Sequence, residues 1–429
     1  MNAPSKDELR RGWCPSTLRP METGDGWLVR LHPPGARLTP AQLQRIAALA
    51  AKHGNGLIEI SARGNLQLRG VTAKSHPALV AALLAERLVD EHDGDGPQRL
   101  TLTAPLAGDA GDMIDARALA AEIETRARAV TGLPAKFSLV VDGGGASSLD
   151  AFAGDMRVVG IAPGSAVIAL ADRLWLGPVA AGRVGEIVAG LLGRFAARRA
   201  QAPGTIRRLP DLRPDALAAL SDLPHASPPA PRAAPRRAGL FALGPDGFAA
   251  LIGLPFGRVD TAALTRLGAA AEAHGCAEIR LSPWRGIAFR GMGEAGAAAL
   301  LGFAGSLGLI VRDDDPRLSV QACAGAPACL RAETPAMADA ALLAEAIAPL
   351  LAEGLSLHVS GCVKSCARPG ASDLTLVGRE GRYGVVIGGT ARDNAIAELD
   401  LSGIMARLQP GQEIHARLSA AGRFSGSRV

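Results

Sequence analysis

The sequence predicts an α+β fold built by duplication, with segments in the order A-B-A′-B′. Two sets of internal repeats carry that expectation, together with a proline-rich stretch that separates the copies. The first repeat aligns WLVRLHPPGARLTPAQLQRIAALAAKHGNGLIEISARGNLQLRGV, from Trp27, with FAALIGLPFGRVDTAALTRLGAAAEAHGCAEIRLSPWRGIAFRGM, from Phe248. Within it His53-Gly54 matches His274-Gly275, and Arg69-Gly70 matches Arg290-Gly291. The second repeat is weaker: AKFSLVVDGGG, Ala135 to Gly145, resembles LSLHVSGCVKSC, Leu355 to Cys366, and AGDMRVVG from Ala153 resembles ASDLTLVG from Ala371.

Each A copy reads as a strand, a loop, an amphipathic helix and two short strands, which is half of a ferredoxin-like unit. Thr39-Pro40 starts the first helix, Gly54 ends it, and Leu43, Ile46, Ala47 and Ala50 have the spacing of one buried face. Between the copies, the core HASPPAPRAAPRR cannot hold a regular helix or strand, because proline fixes φ and removes a donor; it reads as an exposed linker. The expected boundaries are 1–80 for an N-terminal arm and half-domain A, 81–200 for B, 201–239 for the linker, 240–310 for A′ and 311–429 for B′.

Composition narrows the function. The chain has 429 residues, of which 48% are hydrophobic, enough for several cores. Its net charge of +5 comes from 46 basic residues dominated by arginine, in an Ala- and Gly-rich background. Aromatics are 3% of the chain and alternate with no basic run, so nucleic acid is not an expected partner. No apolar stretch is long enough to cross a bilayer, and the opening MNAPSKDELRRG has no apolar segment of a signal peptide, so no membrane partner and a cytoplasmic location are expected. In that reducing compartment six cysteines are not a disulfide framework, and four of them cluster.

Cys323 and Cys329 are separated by five residues in CAGAPAC, and Cys362 and Cys366 by three in SGCVKSC. Two short-range thiolate pairs among small residues can wrap a [4Fe–4S] cluster, one sulfur to each iron. Structural zinc is the main alternative, but its pairs are closer together than a five-residue gap. Only the B′ copy carries these cysteines, which leaves B a structural or pocket-lining role. Cys276 reads as a small buried thiol, and Cys14 as a buried residue of the N-terminal arm. The run Gly143 to Gly145 lacks the strand and helix of a dinucleotide site, so electrons are expected from a separate, NADH-linked reductase.

These motifs together resemble the siroheme sulfite and nitrite reductase superfamily, over nearly the whole chain outside the linker. The resemblance implies a sulfite-reductase-like α/β domain after each half-domain, with Cys323, Cys329, Cys362 and Cys366 as cluster ligands beside a tetrapyrrole-sized pocket. It places Arg63 in that pocket. Where the reductases are similar to L-P-R-K-F-K, this chain has LPAKFS, so Lys136 remains while Ala135 and Ser138 replace cations. His32 lies near another pocket arginine of the reductases. A thinned cationic cage disfavours reduction of small anions; siroheme belongs only to the alternative reading, a nitrite or sulfite reductase.

RGWCPSTLRPMETGDGWLVRL, Arg11 to Leu31, is similar to one branch of the superfamily, the precorrin-3B synthases of aerobic cobalamin biosynthesis. That branch implies an oxidoreductase of the monooxygenase type, with precorrin-3A and O2 as substrates and a mononuclear non-haem iron beside the cluster. Catalytic roles are expected for Lys136, Arg63 and His32. A polycarboxylate substrate needs arginine forks, for which Arg19, Arg30, Arg63, Arg69, Arg285 and Arg290 are the candidates.

Overall fold

The computed structural model describes residues 14–91, 96–108, 111–408 and 418. Most of the N-terminal arm and the end of B′ therefore lie outside the described residues. Four five-stranded sheets form the molecule, two in the half-domains and two in B and B′.

In A, the strands Met21–Thr23, Gly26–Leu31, Leu66–Val71 and Leu57–Ile60 lie side by side, and Arg258–Asp260 from A′ completes the sheet. A′ mirrors this. Gly239–Ala242, Phe248–Gly253, Gly286–Met292 and Glu278–Ser282 are completed by Arg37–Leu38 from A. Each half thus lends an edge strand to the other. The helices Pro40–His53 and Thr261–Ala273 pack together, and their buried faces join one core drawn from both halves. Leu43, Ile46, Ala47 and Ala50 are all buried, and Thr39 closes a capping box with Gln42 at the N-terminus of the first helix. The expected boundary at residue 80 is displaced: it cuts the helix His76–Ala85, whose Leu79 and Leu83 enter this core with Leu88 and Val89.

B and B′ repeat one topology. In B, Thr101–Leu102, Leu139–Asp142 and Met156–Ala162 run parallel, then Ser165–Leu170 and Leu174–Ala180 return antiparallel. In B′ the equivalents are Val320–Ala322, Leu357–Ser360 and Ser372–Arg379, followed by Arg382–Gly389 and Ala397–Leu399. Parallel neighbours aim their C-terminal ends the same way, so the turns after the first two strands meet at one sheet end.

The linker is corrected by the structure. HASPPAPRAAPRR is irregular as its prolines require, but residues 201–239 are tied down. Leu209, Leu212, Leu217 and Leu220 are buried in the core of B. Arg208 grips Asp155, Arg232 grips Asp142 and Asp150, and Arg237 binds the carbonyl of Leu318. Proline content reports backbone regularity; it is blind to the carboxylates that these arginines meet. Among the described residues, no helix is long and apolar enough to cross a membrane.

Candidate functional site

Cys323 directly follows the strand Val320–Ala322, and Cys362 comes two residues after its parallel neighbour Leu357–Ser360. The thiols are therefore delivered to the same sheet end. The backbone N–H of Gly361 donates to Cys323 Sγ at 3.1 Å. Gly361 must be glycine, since a Cβ there would lie 2.6 Å from the Ala332 Cβ. In the loop to Cys329, Gly325 sits at φ +71° with its would-be Cβ 2.4 Å from the Ala336 nitrogen, and Cys329 N–H closes a turn on the Gly325 carbonyl.

Burial pushes the Cys323 thiol up, as do the nearby Cys366 and Cys329 sulfurs, while the N–H groups of Gly361 and Gly325 pull it down. Burial likewise raises Cys362, with Cys323 and Cys329 adding to the effect. The four thiols thus form one electrostatically coupled group. Among the described residues, no three His, Cys, Asp or Glu side chains converge closely enough to hold a single metal ion. Four thiols supplied as two pairs from two loops and electrostatically coupled are a donor set that fits a multinuclear group with one thiolate per metal. His32 is bound to Glu91.

A second cluster is cationic. Arg30, on the strand Gly26–Leu31, donates from Nε and Nη2 to Gln67 Oε1 at 3.2 and 2.9 Å, with Cys14 beside it. Arg63, in the hairpin turn after Leu57–Ile60, donates to Ser138 Oγ at 2.8 Å and to the Ala153 carbonyl at 3.0 Å. Arg99, just before Thr101–Leu102, reaches the carbonyls of Thr101 and Gly64. Burial lowers all three guanidinium pKa values; for Arg99 the charges of Arg63 and Arg30 add to it, against Glu124. Among the described residues, none of the three has a carboxylate among its hydrogen-bond acceptors. His32 is 7% exposed and its Nδ1 lies 2.9 Å from Glu91 Oε1. Burial lowers its pKa despite Glu91, and Arg30 and Arg99 act in the same direction. Cys14, read from sequence as merely buried in the arm, is half-buried against Arg30.

The other expected residues separate. Arg69 is engaged by Asp25 at 2.7 Å, Glu59 at 3.3 Å and the Ala328 carbonyl at 2.8 Å, contacts that tie it to the Cys329 loop. Arg285, at φ +59°, bridges Gln321 Oε1 and the Ala367 carbonyl, both at 2.9 Å, beside the cysteines. Arg290 is buried with Nη1 toward the Pro105 carbonyl and lines a different cavity. Arg19 and Lys136 are exposed, Lys136 on the turn that carries Ser138. Cys276 is buried and pushed up to about 11, chiefly by desolvation. Arg99 escaped the sequence reading because it precedes B in a stretch without a repeat partner; its one signal is its place directly before the first B strand.

Residues 19–86 and 243–302 match the nitrite/sulfite reductase ferredoxin-like half domain family, once in each half-domain. The ferredoxin–nitrite reductase of Synechococcus elongatus is 30% identical over 36% of this chain and 31% of its own. The NirA protein of Mycobacterium tuberculosis superposes with a TM-score of 0.68 at 19% identity, over 91% of this chain and 83% of that one, which establishes the shared fold. Identity over the full length decides the branch. A precorrin-3B synthase of a Sinorhizobium species is 36% identical across 93% of this chain and 88% of its own. The chain belongs to the precorrin-3B synthase family.

Within the precorrin-3B synthase family frame, the contact between Arg63 and Ser138 acquires meaning. At the position where the reductase resemblance calls for a second lysine, this chain has a hydroxyl that accepts from Arg63. One cation is missing and another is engaged by the residue that replaced it. The arginine cluster is thus spread over Arg30, Arg63 and Arg99, rather than focused on one small anion.

Proposed function

We propose that the protein converts precorrin-3A to precorrin-3B, with O2 supplying a hydroxyl at C20 while the ring-A acetate closes a γ-lactone. The observation that carries this reading is the group Arg30, Arg63 and Arg99, three partly buried guanidiniums whose hydrogen bonds among the described residues go to amide, hydroxyl and carbonyl oxygens and, for Arg30, to Cys14, rather than to carboxylates. Such charges are poorly compensated until an anion arrives. A polycarboxylate brings several carboxylates at once, and guanidinium forks bind them bidentately.

The balance requires two electrons and two protons with each O2, one oxygen atom entering the hydroxyl and the other leaving as water. A separate NADH-linked reductase is the electron source. Cys323, Cys329, Cys362 and Cys366 would hold a [4Fe–4S] cluster, which when bound supplies electrons one at a time. The chain's own residues bind and orient. Arg30, Arg63 and Arg99 fix the acid side chains, and Ser138 and the Ala153 carbonyl aim the Arg63 fork. His32 stays neutral near pH 7 because burial lowers its pKa; in the tautomer that donates Nδ1–H to Glu91, its Nε2 carries the lone pair that would accept a proton.

Anaerobic titration with precorrin-3A tests the site apart from the oxygen chemistry. Arg63→Ala is expected to weaken binding by roughly one to two orders of magnitude, the worth of a charge-assisted contact of about 1.5–3 kcal/mol, and Arg63→Lys to fall between. Labelled O2 with an electron donor should then place one labelled oxygen in the product. Strong siroheme bands in the visible spectrum, with steady turnover of sulfite or nitrite, would overturn the reading.

A further inference from the structure

Away from the cysteines, a cavity of about 660 Å³ lies between A, B and A′. One wall is the helix Ala116–Ala127, and Arg37, Arg117, Arg280 and Arg290 line it from the other elements and the helix start. Three of these arginines share a single carboxylate. Arg280 binds Glu278 through Nε, Arg117 approaches it at 3.0 Å and Arg37 at 3.5 Å. Arg280 is 8% exposed, and its Nη1 also donates to the Ala107 carbonyl at 2.6 Å. Burial lowers its pKa most, Glu278 opposes this, and Arg117 and Arg37 add to it.

The cavity's other acidic groups have separate tasks. Asp115 caps the helix by accepting from the N–H groups of Arg117 and Ala118. Glu124 accepts from the N–H groups of Leu100 and Thr101 and from the Thr101 hydroxyl. Asp90 is bound by Arg128, and Asp246 lies on the exposed rim. Arg37, Arg99, Arg117, Arg128, Arg280 and Arg290 line the recess against Asp90, Asp115, Glu124 and Asp246, with Glu278 among the arginines, so it carries one net positive charge, and three guanidiniums converge on Glu278 where low-dielectric walls focus the field. Arg99 and His32 also line this cavity, so it backs onto the arginine group described above. Its volume is that of a small-molecule site, roughly 300–1,000 Å³.

We infer that this cavity is a second polycarboxylate site, separate from the cysteines, which takes the acid side chains of a tetrapyrrole on its way to or from the group Arg30, Arg63 and Arg99. The inference rests on the proposed function and deepens it. Arg37 and Arg117 are its outer forks, and Glu278 holds them ready while limiting their charge.

Uroporphyrin III, an octacarboxylate, is the probe, titrated by fluorescence into the full chain. The expected result is two sites per chain. Arg37→Gln combined with Arg117→Gln should weaken one of them by roughly tenfold or more and leave the other. Glu278→Gln, which increases the cation excess, should tighten the same site severalfold and supplies the answer if the double variant does not fold. Arg63→Ala should weaken only the other site. A single site in the wild type, or unchanged affinities in the Arg37/Arg117 and Glu278 variants, overturns the inference. Loss of one site in the Arg37/Arg117 variant with no effect of Arg63→Ala supports the cavity and refutes the placement in the proposed function. Inorganic pyrophosphate displacing the probe more readily than coproporphyrin III, a tetracarboxylate, would overturn the assignment to carboxylates.

Discussion

B and B′ place the same turn at the same sheet end and use it in opposite ways. Both turns stack two glycines: a Cβ on Gly160 would lie 2.4 Å from the Gly143 carbonyl oxygen, and one on Gly378 2.7 Å from that of Gly361. Beyond this shared frame they diverge. Where B′ has Cys362, B has Gly144 at φ +85°, and a Cβ there would lie 2.1 Å from the Gly160 carbonyl oxygen. The B turn is filled by charge instead, because Arg232 from the linker donates to Asp142 at 2.6 and 2.8 Å and to Asp150 at 2.5 Å. In B′, the residue in register with Val140 of B is His358, fully buried, with no protein partner on either ring nitrogen among the described residues. A duplicated site is thus not emptied simply by losing its ligands. The turn closes and acquires an internal ion pair, since buried polar groups need partners.

The largest expected effect breaks the comparison from the B′ side. Cys323→Ser, Cys329→Ser or Cys362→Ser should abolish iron, acid-labile sulfide, brown colour and activity, because a cubane lacking one thiolate is labile. Full iron and sulfide in any of the three variants would remove that residue from the ligand set. On the B side, Arg232→Ala should leave metal content alone and destabilise the fold by about 3 kcal/mol in urea, because it removes the cation from the nearly fully buried Asp142 and leaves it only the N–H groups of Gly144 and Leu149. A loss of cluster with unchanged stability would reverse the roles given to the two turns.

Next is His358, whose pKa is lowered to about 4, by burial first and then by Arg368 and Arg285. The unfolded chain binds this proton more readily, so the stability the neutral ring contributes is complete above about pH 6.5 and is lost as pH falls toward 4. The loss amounts to ~3 kcal/mol, taking 1.36 kcal/mol per pKa unit. His358→Val, which copies Val140, should flatten this slope in urea unfolding at pH 5 and pH 7.5; an unchanged slope would mean that other groups cause it. The smallest effect concerns Asp150. Burial raises its pKa, but side-chain and backbone donors of Arg232 together outweigh that and hold it below the usual value. Its contribution is therefore present above about pH 4 and disappears as pH falls through the depressed value. Stability at pH 3 should respond to Asp150→Asn less than at pH 7, and an equal response at both would count against the pairing.

Much of the frame was legible because it follows from local rules. Thr39 caps a helix and its apolar stripe is buried, the repeats mark A-B-A′-B′, and the spacing of Cys323, Cys329, Cys362 and Cys366 marks two short-range thiol pairs. What escaped depends on long-range partners. Nothing in the sequence around Arg69 announces Asp25 and Glu59, which occupy it. The linker's prolines announce irregular backbone and conceal its anchors. Strands as short as Arg37–Leu38 and Arg258–Asp260 are too brief to show a period of two.

Those two short strands govern how the chain can be made. With Arg258–Asp260 sealing the sheet of A and Arg37–Leu38 sealing that of A′, neither half-domain can finish its sheet until both have left the ribosome. Assembly must wait for partners separated by about 200 residues, a high-contact-order topology that folds slowly and exposes unpaired edges while it waits. Expressed apart, the two halves should aggregate through those edges. Expressed together as separate polypeptides cut in the linker, they should recover one another as complementing fragments.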